Sequence, residues 1–252
     1  MRKNKKGRFL LTIGWLLIIA AGTLTAYNLV EEQLAKRSAQ HYAAQFSLAV
    51  AQQLSNPVTM PLPNATEQTM QVTVQFPELD MSQVEMQTEL LPEPSAESMQ
   101  TFEVEYPDYI LNPNMDMPVM TIDGEDYIGL LEIPALDLKL PVMNEWNYAR
   151  LKKAPCRYTG TAYQNNFVIS AHNYESHFGR LKELPEGSRV AFTDADGNRF
   201  LYEVILIETL MPTDVDEMKS GEFDLTLFTC TVGGKQRVTV RCDRLDAFAA
   251  GV

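Results

Sequence analysis

The sequence predicts an all-β domain with short helices, preceded by an N-terminal transmembrane helix and a disordered acidic linker. Three observations support this architecture. Short apolar runs separated by turn residues fill 127–252, an uncharged apolar run covers 9–30, and 55–126 contains 14 acidic residues but no Lys or Arg. The predicted segments are a basic cytoplasmic tail at 1–8, a membrane anchor at 9–30, a helical stalk at 31–54, the acidic linker at 55–126 and the β domain at 127–252.

The overall charge excludes some classes of function. The formal net charge is −12, and 45% of the residues are hydrophobic, which is ordinary for a globular protein and unlike a fully disordered or multi-span membrane protein. A nucleic-acid-binding protein needs a basic surface that neutralises phosphates, so we expect no nucleic acid among the partners. The 3 Cys are too few for a disulfide-rich scaffold.

The apolar run from Phe9 to Val30 predicts a membrane span. As a helix it would extend roughly 33 Å, about the thickness of the bilayer core. The five basic residues before it predict a cytoplasmic N-terminus and an extracellular location for the rest of the chain, by the positive-inside rule. A cleaved signal peptide is the alternative, but the run is longer than the usual signal-peptide core and no small-x-small cleavage site follows it.

The two segments that follow are predicted to separate the membrane from the β domain. The Ala- and Gln-rich stretch 31–54 predicts a helix that ends at Asn56-Pro57. We expect it to be a stalk, with a coiled-coil contact as the alternative. The linker 55–126 carries repeated Pro and unbalanced acidic charge, so it predicts a flexible spacer, although Met70 to Phe76 alternates like a strand. The alternative function for the linker is a lid over the β domain.

Seven strands and two short helices are predicted after residue 126. Many short apolar runs at close spacing favour a barrel or a sandwich. The strands are expected at Tyr127–Ile133, Leu138–Val142, Phe167–Ala171, Arg189–Thr193, Phe200–Thr209, Leu225–Val232 and Lys235–Cys242, and the helices at Asn147–Lys153 and Gly179–Leu184.

The last predicted hairpin indicates which side chains meet. If Gly233 and Gly234 form a two-residue type I′ turn, Cys230 lies opposite Arg237, and Arg241 lies roughly 13 Å further along the strands. Directly opposed residues place their side chains on one face, with Cβ atoms about 5 Å apart. A thiol and a guanidinium are therefore predicted to meet at Cys230 and Arg237.

A nucleophilic Cys needs a partner that moves protons, and the chain contains 3 His. His41 lies in the predicted stalk and His177 in a loop, whereas His172 directly follows the predicted strand Phe167–Ala171. The candidate catalytic residues are therefore His172, Cys230 and Arg237. The alternative for this Cys and Arg is a buried free thiol beside a surface cation.

These residues resemble the motifs of the sortase family. The run from Thr226 to Cys230, followed by Arg237, is similar to the T-L-x-T-C…R motif of sortases. The stretch from Phe167 to Asn173 resembles the strand that leads to the sortase catalytic His, and 127–142 looks like the opening strands of that fold. The chain departs from the family pattern at Ala171, where a Gly often precedes the His, and in the short connection between the Cys and the Arg.

The resemblance implies an eight-stranded β-barrel and a cysteine transpeptidase. Cys230 would be the nucleophile, His172 the general acid/base and Arg237 the cation that stabilises the oxyanion or orients the substrate. The implied partners are secreted proteins with a C-terminal sorting signal similar to Leu-Pro-x-Thr-Gly, and an acceptor amine on a peptidoglycan precursor or a pilin Lys. The implied location is the cell membrane, with an extracellular catalytic domain, and no cofactor or metal is implied.

Two other functions stay open at this point. The first is a different cysteine enzyme, such as an L,D-transpeptidase or a papain-like amidase, although those enzymes carry Cys in other local motifs. The second is a non-enzymatic, membrane-anchored surface β-domain that binds a protein partner. The other two cysteines, Cys156 and Cys242, are expected to be small buried residues, with a disulfide between them as the alternative.

Overall fold

A computed structural model describes residues 5–55 and 106–245. The expected strand from Met70 to Phe76 and the linker residues 56–105 lie outside the described residues. The helices are α1 (Lys5–Ser55), α2 (Asp108–Leu111), α3 (Tyr148–Leu151) and α4 (Val215–Met218), and single 3₁₀ turns lie at Pro134–Leu136 and Leu181–Glu183. The strands are β1 (Met120–Ile122), β2 (Glu125–Ile133), β3 (Leu138–Met143), β4 (Cys156–Thr159), β5 (Phe167–Ser170), β6 (Arg189–Asp194), β7 (Arg199–Leu210), β8 (Leu225–Cys230) and β9 (Arg237–Arg244).

Eight of these strands close into a barrel. Neighbours pair in the order β2-β3-β4-β5-β8-β9-β7-β6, and β6 pairs back with β2, where Phe192 lies opposite Leu131. The β3–β4 and β5–β8 pairs are parallel, and the other pairs are antiparallel. The predicted all-β fold and the implied eight-stranded barrel are confirmed.

The strand predictions hold to within a few residues at each end. All seven predicted strands are present, and the predicted helices correspond to α3 and to the 3₁₀ turn at Leu181–Glu183. The sequence did not predict β4, because its four residues follow Pro155 and only Cys156 pairs with β3. A strand this short carries too few alternating positions to stand out from a loop.

The barrel interior is filled by aromatic and branched side chains. Phe167 of β5 and Phe192 of β6 pack edge to face with ring centroids 5.0 Å apart, a favoured geometry for aromatic pairs. Phe200 and Tyr202 of β7 are fully buried beside them. Each such side chain contributes about 1.5–3 kcal/mol through apolar burial, so this core fixes the strands that carry the candidate site.

One face of α1 packs against the barrel. Because the helical repeat places residues three and four apart on one side, a stripe of small and apolar residues faces β2 and β3. Phe46 is 1% exposed and packs in a cluster with Tyr127 and Met143. The segment 31–54, predicted to be a helical stalk, is a helix, and it also takes part in the packing of the barrel. The buried stripe consists of Ala35, Ala39, Ala43, Phe46 and Val50.

The first half of α1 has the properties of a membrane span. Among the described residues, one helix is long and apolar enough to cross a membrane; its segment Phe9–Ser55 contains a window of mean hydropathy 2.0 with none of its residues buried. Leu10 and Leu17, for example, are both more than 60% exposed. This helix is compatible with the predicted anchor at 9–30.

Residues 107–126 pack on the barrel, although the sequence analysis assigns them to the linker. Tyr109 of α2 stacks on Tyr163 with centroids 4.8 Å apart, and Met117 is 3% exposed. Asp123 and Gly124 turn the chain from β1 into β2 with φ angles of 52° and 76°, the left-handed conformation that a tight hairpin requires. This hairpin was not predicted because its residues share the acidic composition of the segment before them. The Asp123-Gly124 pair was the signal that could have predicted it.

Candidate active site

The candidate site lies where two parallel strands end. Ser170 of β5 lies opposite Phe228 of β8, and the pairing continues past the end of β5 because Ala171 N–H donates to the Phe228 carbonyl at 3.2 Å. In a parallel pair, moving by the same number of residues along both strands leads to the next opposed pair. His172, two residues beyond Ser170, is therefore brought next to Cys230, two residues beyond Phe228.

The hairpin of β8 and β9 brings in the third residue. Cys230 lies opposite Arg237, and Thr226 lies opposite Arg241, so the predicted register is confirmed. Cys230 and Arg237 are therefore neighbours on the hairpin, where strands lie about 4.8 Å apart, and His172 follows the end of the adjacent strand β5 by two residues.

The turn between β8 and β9 differs from the predicted one. Thr231 N–H donates to the Gln236 carbonyl at 2.9 Å, and Gly234 N–H donates to the Thr231 carbonyl at 2.8 Å. Residues 232–235 therefore form a four-residue loop instead of a two-residue type I′ turn. Gly233 and Gly234 have φ angles of 84° and 72°, which glycine adopts without strain.

The three cysteines are free thiols in very different surroundings. Cys230 is exposed, whereas Cys156 and Cys242 are buried. Burial raises the pKa of Cys156 to about 12 and also raises the pKa of Cys242. A thiolate is the reactive form of cysteine, so Cys230 is the thiol that a substrate can reach, and the other two are the small buried residues expected. The alternative disulfide is not formed.

The His172 ring is held by its neighbours on one side. It stacks on the Tyr174 ring, with centroids 4.1 Å apart and planes 5° from parallel. Nδ1 accepts the backbone N–H of Asn173 at 3.1 Å, and the acceptor oxygen Oδ1 of the Asn173 side chain lies 3.0 Å from the same nitrogen. In the described part of the chain no protein group bonds to Nε2, which leaves that nitrogen available for proton transfer. The sequence reasoning missed Tyr174, since a loop aromatic two residues from a His carries no pattern of its own.

Arg237 and Arg241 of β9 lie in different surroundings. Arg237 Nη1 donates to the carbonyls of Gly234 at 3.0 Å and Gln236 at 3.1 Å, which fixes one edge of the guanidinium beside Cys230. Arg241 is fully buried and bonds to Glu208 at 2.7 Å, Thr226 at 3.0 Å and the Glu217 carbonyl at 2.9 Å. The geometry therefore favours Arg237 as the functional cation and gives Arg241 a structural role.

A cleft opens beside Arg237 on the outer surface of the barrel. Its volume is about 200 Å³, and its walls combine aromatic and aliphatic side chains with the charged groups of Asp214 and Arg237. Phe228, two residues before Cys230, packs edge to face on Tyr158 with centroids 5.2 Å apart, and Tyr158 packs in the same way on Trp146 at 6.0 Å. Such walls suit the apolar part of a peptide. The lining also includes Met211, Pro212, Val215 and Met218.

Metal binding has no candidate site in residues 5–55 and 106–245. No group of three His, Cys, Asp or Glu side chains there is arranged to hold a metal ion.

Comparison with known proteins shows what the barrel is similar to. Residues 131–245 match the family model of the sortase domain, and no curated protein matches the chain. The chain is similar to a sortase D5 transpeptidase of Clostridium perfringens, with 23% identity over 50% of this chain and 82% of that one and a TM-score of 0.44. It is also similar to sortase A from Corynebacterium diphtheriae (26% identity, 57% and 70% covered, TM-score 0.44). A third similar structure is sortase C of Streptococcus pneumoniae (26% identity, 50% and 72% covered, TM-score 0.44).

Proposed function

Because residues 131–245 form a sortase domain, we propose that the chain is a membrane-anchored cysteine transpeptidase with Cys230, His172 and Arg237 as its catalytic residues. It cleaves a sorting signal similar to Leu-Pro-x-Thr-Gly and transfers the acyl group to an amine. The observation that carries this proposal is that the exposed Cys230 lies opposite Arg237 on the β8–β9 hairpin, next to the parallel strand β5 whose end leads to His172.

The first half of the reaction forms a thioester. The Cys230 thiolate attacks the carbonyl carbon of the signal's Thr, so that a C–S bond forms and the carbonyl oxygen becomes an oxyanion. The C–N bond then breaks, and His172 gives its proton to the departing nitrogen. This proton is needed because an unprotonated amine is a poor leaving group.

Arg237 stabilises the charge that develops on the carbonyl oxygen. Its Nη1 is already bonded to two carbonyls of the β8–β9 loop, which holds the planar group in place. The other donors of the guanidinium stay available to a substrate oxygen. A donor fixed before the reaction is more effective than a mobile one, since it does not reorganise in the transition state.

The second half transfers the acyl group. An incoming amine loses a proton to His172 and attacks the thioester carbonyl, which forms an amide and releases the Cys230 thiolate. The acceptor is an amine of a peptidoglycan precursor or a pilin Lys. The cleft beside Arg237 receives the apolar residues of the signal, since its aromatic and aliphatic walls suit Leu and Pro side chains.

The long apolar helix supports the proposed location. With 9–30 in the membrane and the five basic residues before it in the cytoplasm, the barrel faces the outside of the cell. Substrates that have crossed the membrane would reach Cys230 from that side.

A cleavage assay on the full-length chain in detergent tests the proposal. Peptides based on Leu-Pro-x-Thr-Gly, varied at each position, are incubated with and without an amine acceptor, and the intact protein mass is recorded. We expect an acyl adduct on Cys230, cleavage, and transfer to the amine, all lost in Cys230→Ala and kept in Cys156→Ala. Processing of a peptide by Cys230→Ala would disprove the mechanism. A protein that binds such peptides without cleaving them would instead be the non-enzymatic surface domain.

A further inference from the structure

We propose that Glu31 and Glu32 of α1 are positioning residues that hold the His172 loop against the barrel. The loop consists of residues 171–179. This inference rests on the proposed function, because it assigns a purpose to the contacts around the proposed general acid/base. It adds a role for α1 beyond that of a membrane anchor.

The two carboxylates contact the loop directly. Glu32 Oε1 accepts the backbone N–H of Glu175 at 3.1 Å. Glu31 Oε2 accepts the Tyr174 hydroxyl at 3.5 Å and pairs with the Lys152 ammonium at 3.2 Å. Both contacts therefore fall on Tyr174 and Glu175, the second and third residues after His172.

Tyr174 connects α1 to the imidazole of His172, because it contacts both. Its hydroxyl end is bonded to Glu31, and its ring stacks on the His172 ring at 4.1 Å with nearly parallel planes. A ring held at one end by a carboxylate and placed flat against an imidazole restricts the tilt of that imidazole. Since catalysis is sensitive to displacements of about 1 Å, this stack is able to affect the rate.

The rest of the loop offers little other support on this side. Apart from the bonds of Ala171 to β8 and the contacts with α1, its hydrogen bonds are local, such as Gly179 N–H to the Tyr174 carbonyl at 2.8 Å and Phe178 N–H to the His172 carbonyl at 3.2 Å. His177 is fully buried with its ring centroid 5.5 Å from that of Tyr174. The loop thus buries His177 in the protein interior and is bonded to α1 through Tyr174 and Glu175.

The Glu31 carboxylate is oriented by a neighbouring residue of α1. The Tyr27 hydroxyl donates to Glu31 Oε1 at 3.0 Å, which leaves Oε2 for Lys152 and Tyr174. The Tyr27 hydrogen bond, followed by the Lys152 contacts, lowers the pKa of Glu31. The carboxylate is therefore charged and oriented at neutral pH.

The test measures kinetics and ring position in the full-length chain in detergent. We expect the double variant Glu31→Ala with Glu32→Ala to lower kcat about tenfold while the KM for a cleaved peptide changes by less than about twofold. Glu32→Gln keeps an acceptor oxygen for the Glu175 N–H and is expected to retain the wild-type kcat. Glu203→Ala serves as the matched control, because it removes a carboxylate from a 3.1 Å ion pair with Arg189 on β6 and β7.

A spectroscopic readout separates this inference from the proposed function. The Tyr174 ring shifts the NMR signal of the His172 Hε1 proton, and the 3 His of the chain can be assigned by single substitutions. We expect this signal to move toward its unstacked position in the double Ala variant and to stay in place in Glu203→Ala. This readout stands even if no peptide is cleaved. An unchanged His172 signal together with an unchanged kcat in the double variant would overturn the positioning role.

Discussion

The Thr229 hydroxyl donates a hydrogen bond to the Ala171 carbonyl at 2.9 Å. The bond joins the residue before Cys230 to the residue before His172, so it links the two strand ends that carry the proposed nucleophile and the proposed base. Thr229 is 3% exposed, and a hydrogen bond shielded from water resists competition.

Removing this hydroxyl is expected to loosen the site. Thr229→Val keeps the shape of the side chain and leaves the Ala171 carbonyl without this donor, which should lower the free energy of unfolding by about 1 kcal/mol and kcat about tenfold. Thr229→Ser keeps the hydroxyl and should retain most of the kcat. Urea unfolding and peptide cleavage measure the two effects. Equal kcat values for the Val and Ser variants would contradict the expected role.

Substitutions at Arg237 and Arg241 of β9 are expected to affect activity and stability in opposite ways. Arg237→Lys keeps the charge but loses the planar set of donors, so kcat/KM should fall about 100-fold with little change in stability. Arg241→Met leaves the Glu208 carboxylate without the partner that lies 2.7 Å away, and should lower the free energy of unfolding by about 3 kcal/mol. Cleavage assays and urea unfolding of both variants make the comparison. A destabilised Arg237→Lys with normal activity would reverse the assignment.

Burial of His177 predicts a loss of stability in acid. Burial, followed by the charge of His172, lowers the pKa of His177 from 6.5 to about 4. Between these two values the unfolded chain binds a proton that the folded chain does not, so stability falls as the pH drops from 6.5 toward 4, by up to about 3 kcal/mol. Urea unfolding at several pH values should show a shallower pH dependence in His177→Gln than in the wild type. His41→Gln, on the exposed side of α1, should leave the slope unchanged.

The packing of α1 on the barrel predicts a difference between two of its residues. Phe46 is 1% exposed, whereas Leu48 is 65% exposed. Phe46→Ala should therefore lower the free energy of unfolding by about 3 kcal/mol through the cavity that it creates, and Leu48→Ala should change it by less than about 0.5 kcal/mol. Urea unfolding followed by Trp fluorescence measures both. Two equal values would show that α1 does not stabilise the barrel.

The hairpin register could be predicted from local sequence, although the turn conformation could not. The predicted turn had two residues and the observed loop has four, yet Cys230 still lies opposite Arg237. Adding one residue to each side of a turn leaves every pair further along the strands unchanged. The prediction was therefore correct for the register and wrong for the turn itself.

The neighbourhood of His172 and Cys230 depends on distant parts of the chain. It requires β5 and β8 to pair in parallel. The residue pattern of one strand does not predict which other strand will be its partner. The family resemblance supplied this link. The packing of α1 on the barrel was not predicted for another reason. Its buried face is largely Ala, which has the highest helix propensity and therefore also suits the exposed face of a helix. The spacing of Ala35, Ala39 and Ala43, followed by Phe46 and Val50, was the signal that could have predicted it.

The packing of α1 has a consequence for the distance between Cys230 and the proposed membrane span. The helix and the barrel belong to one compact unit, and the same helix contains the proposed span at 9–30. A continuous helix rises about 1.5 Å for each residue. If 9–30 lies in the bilayer as proposed, α1 would therefore set the height of Cys230 above it.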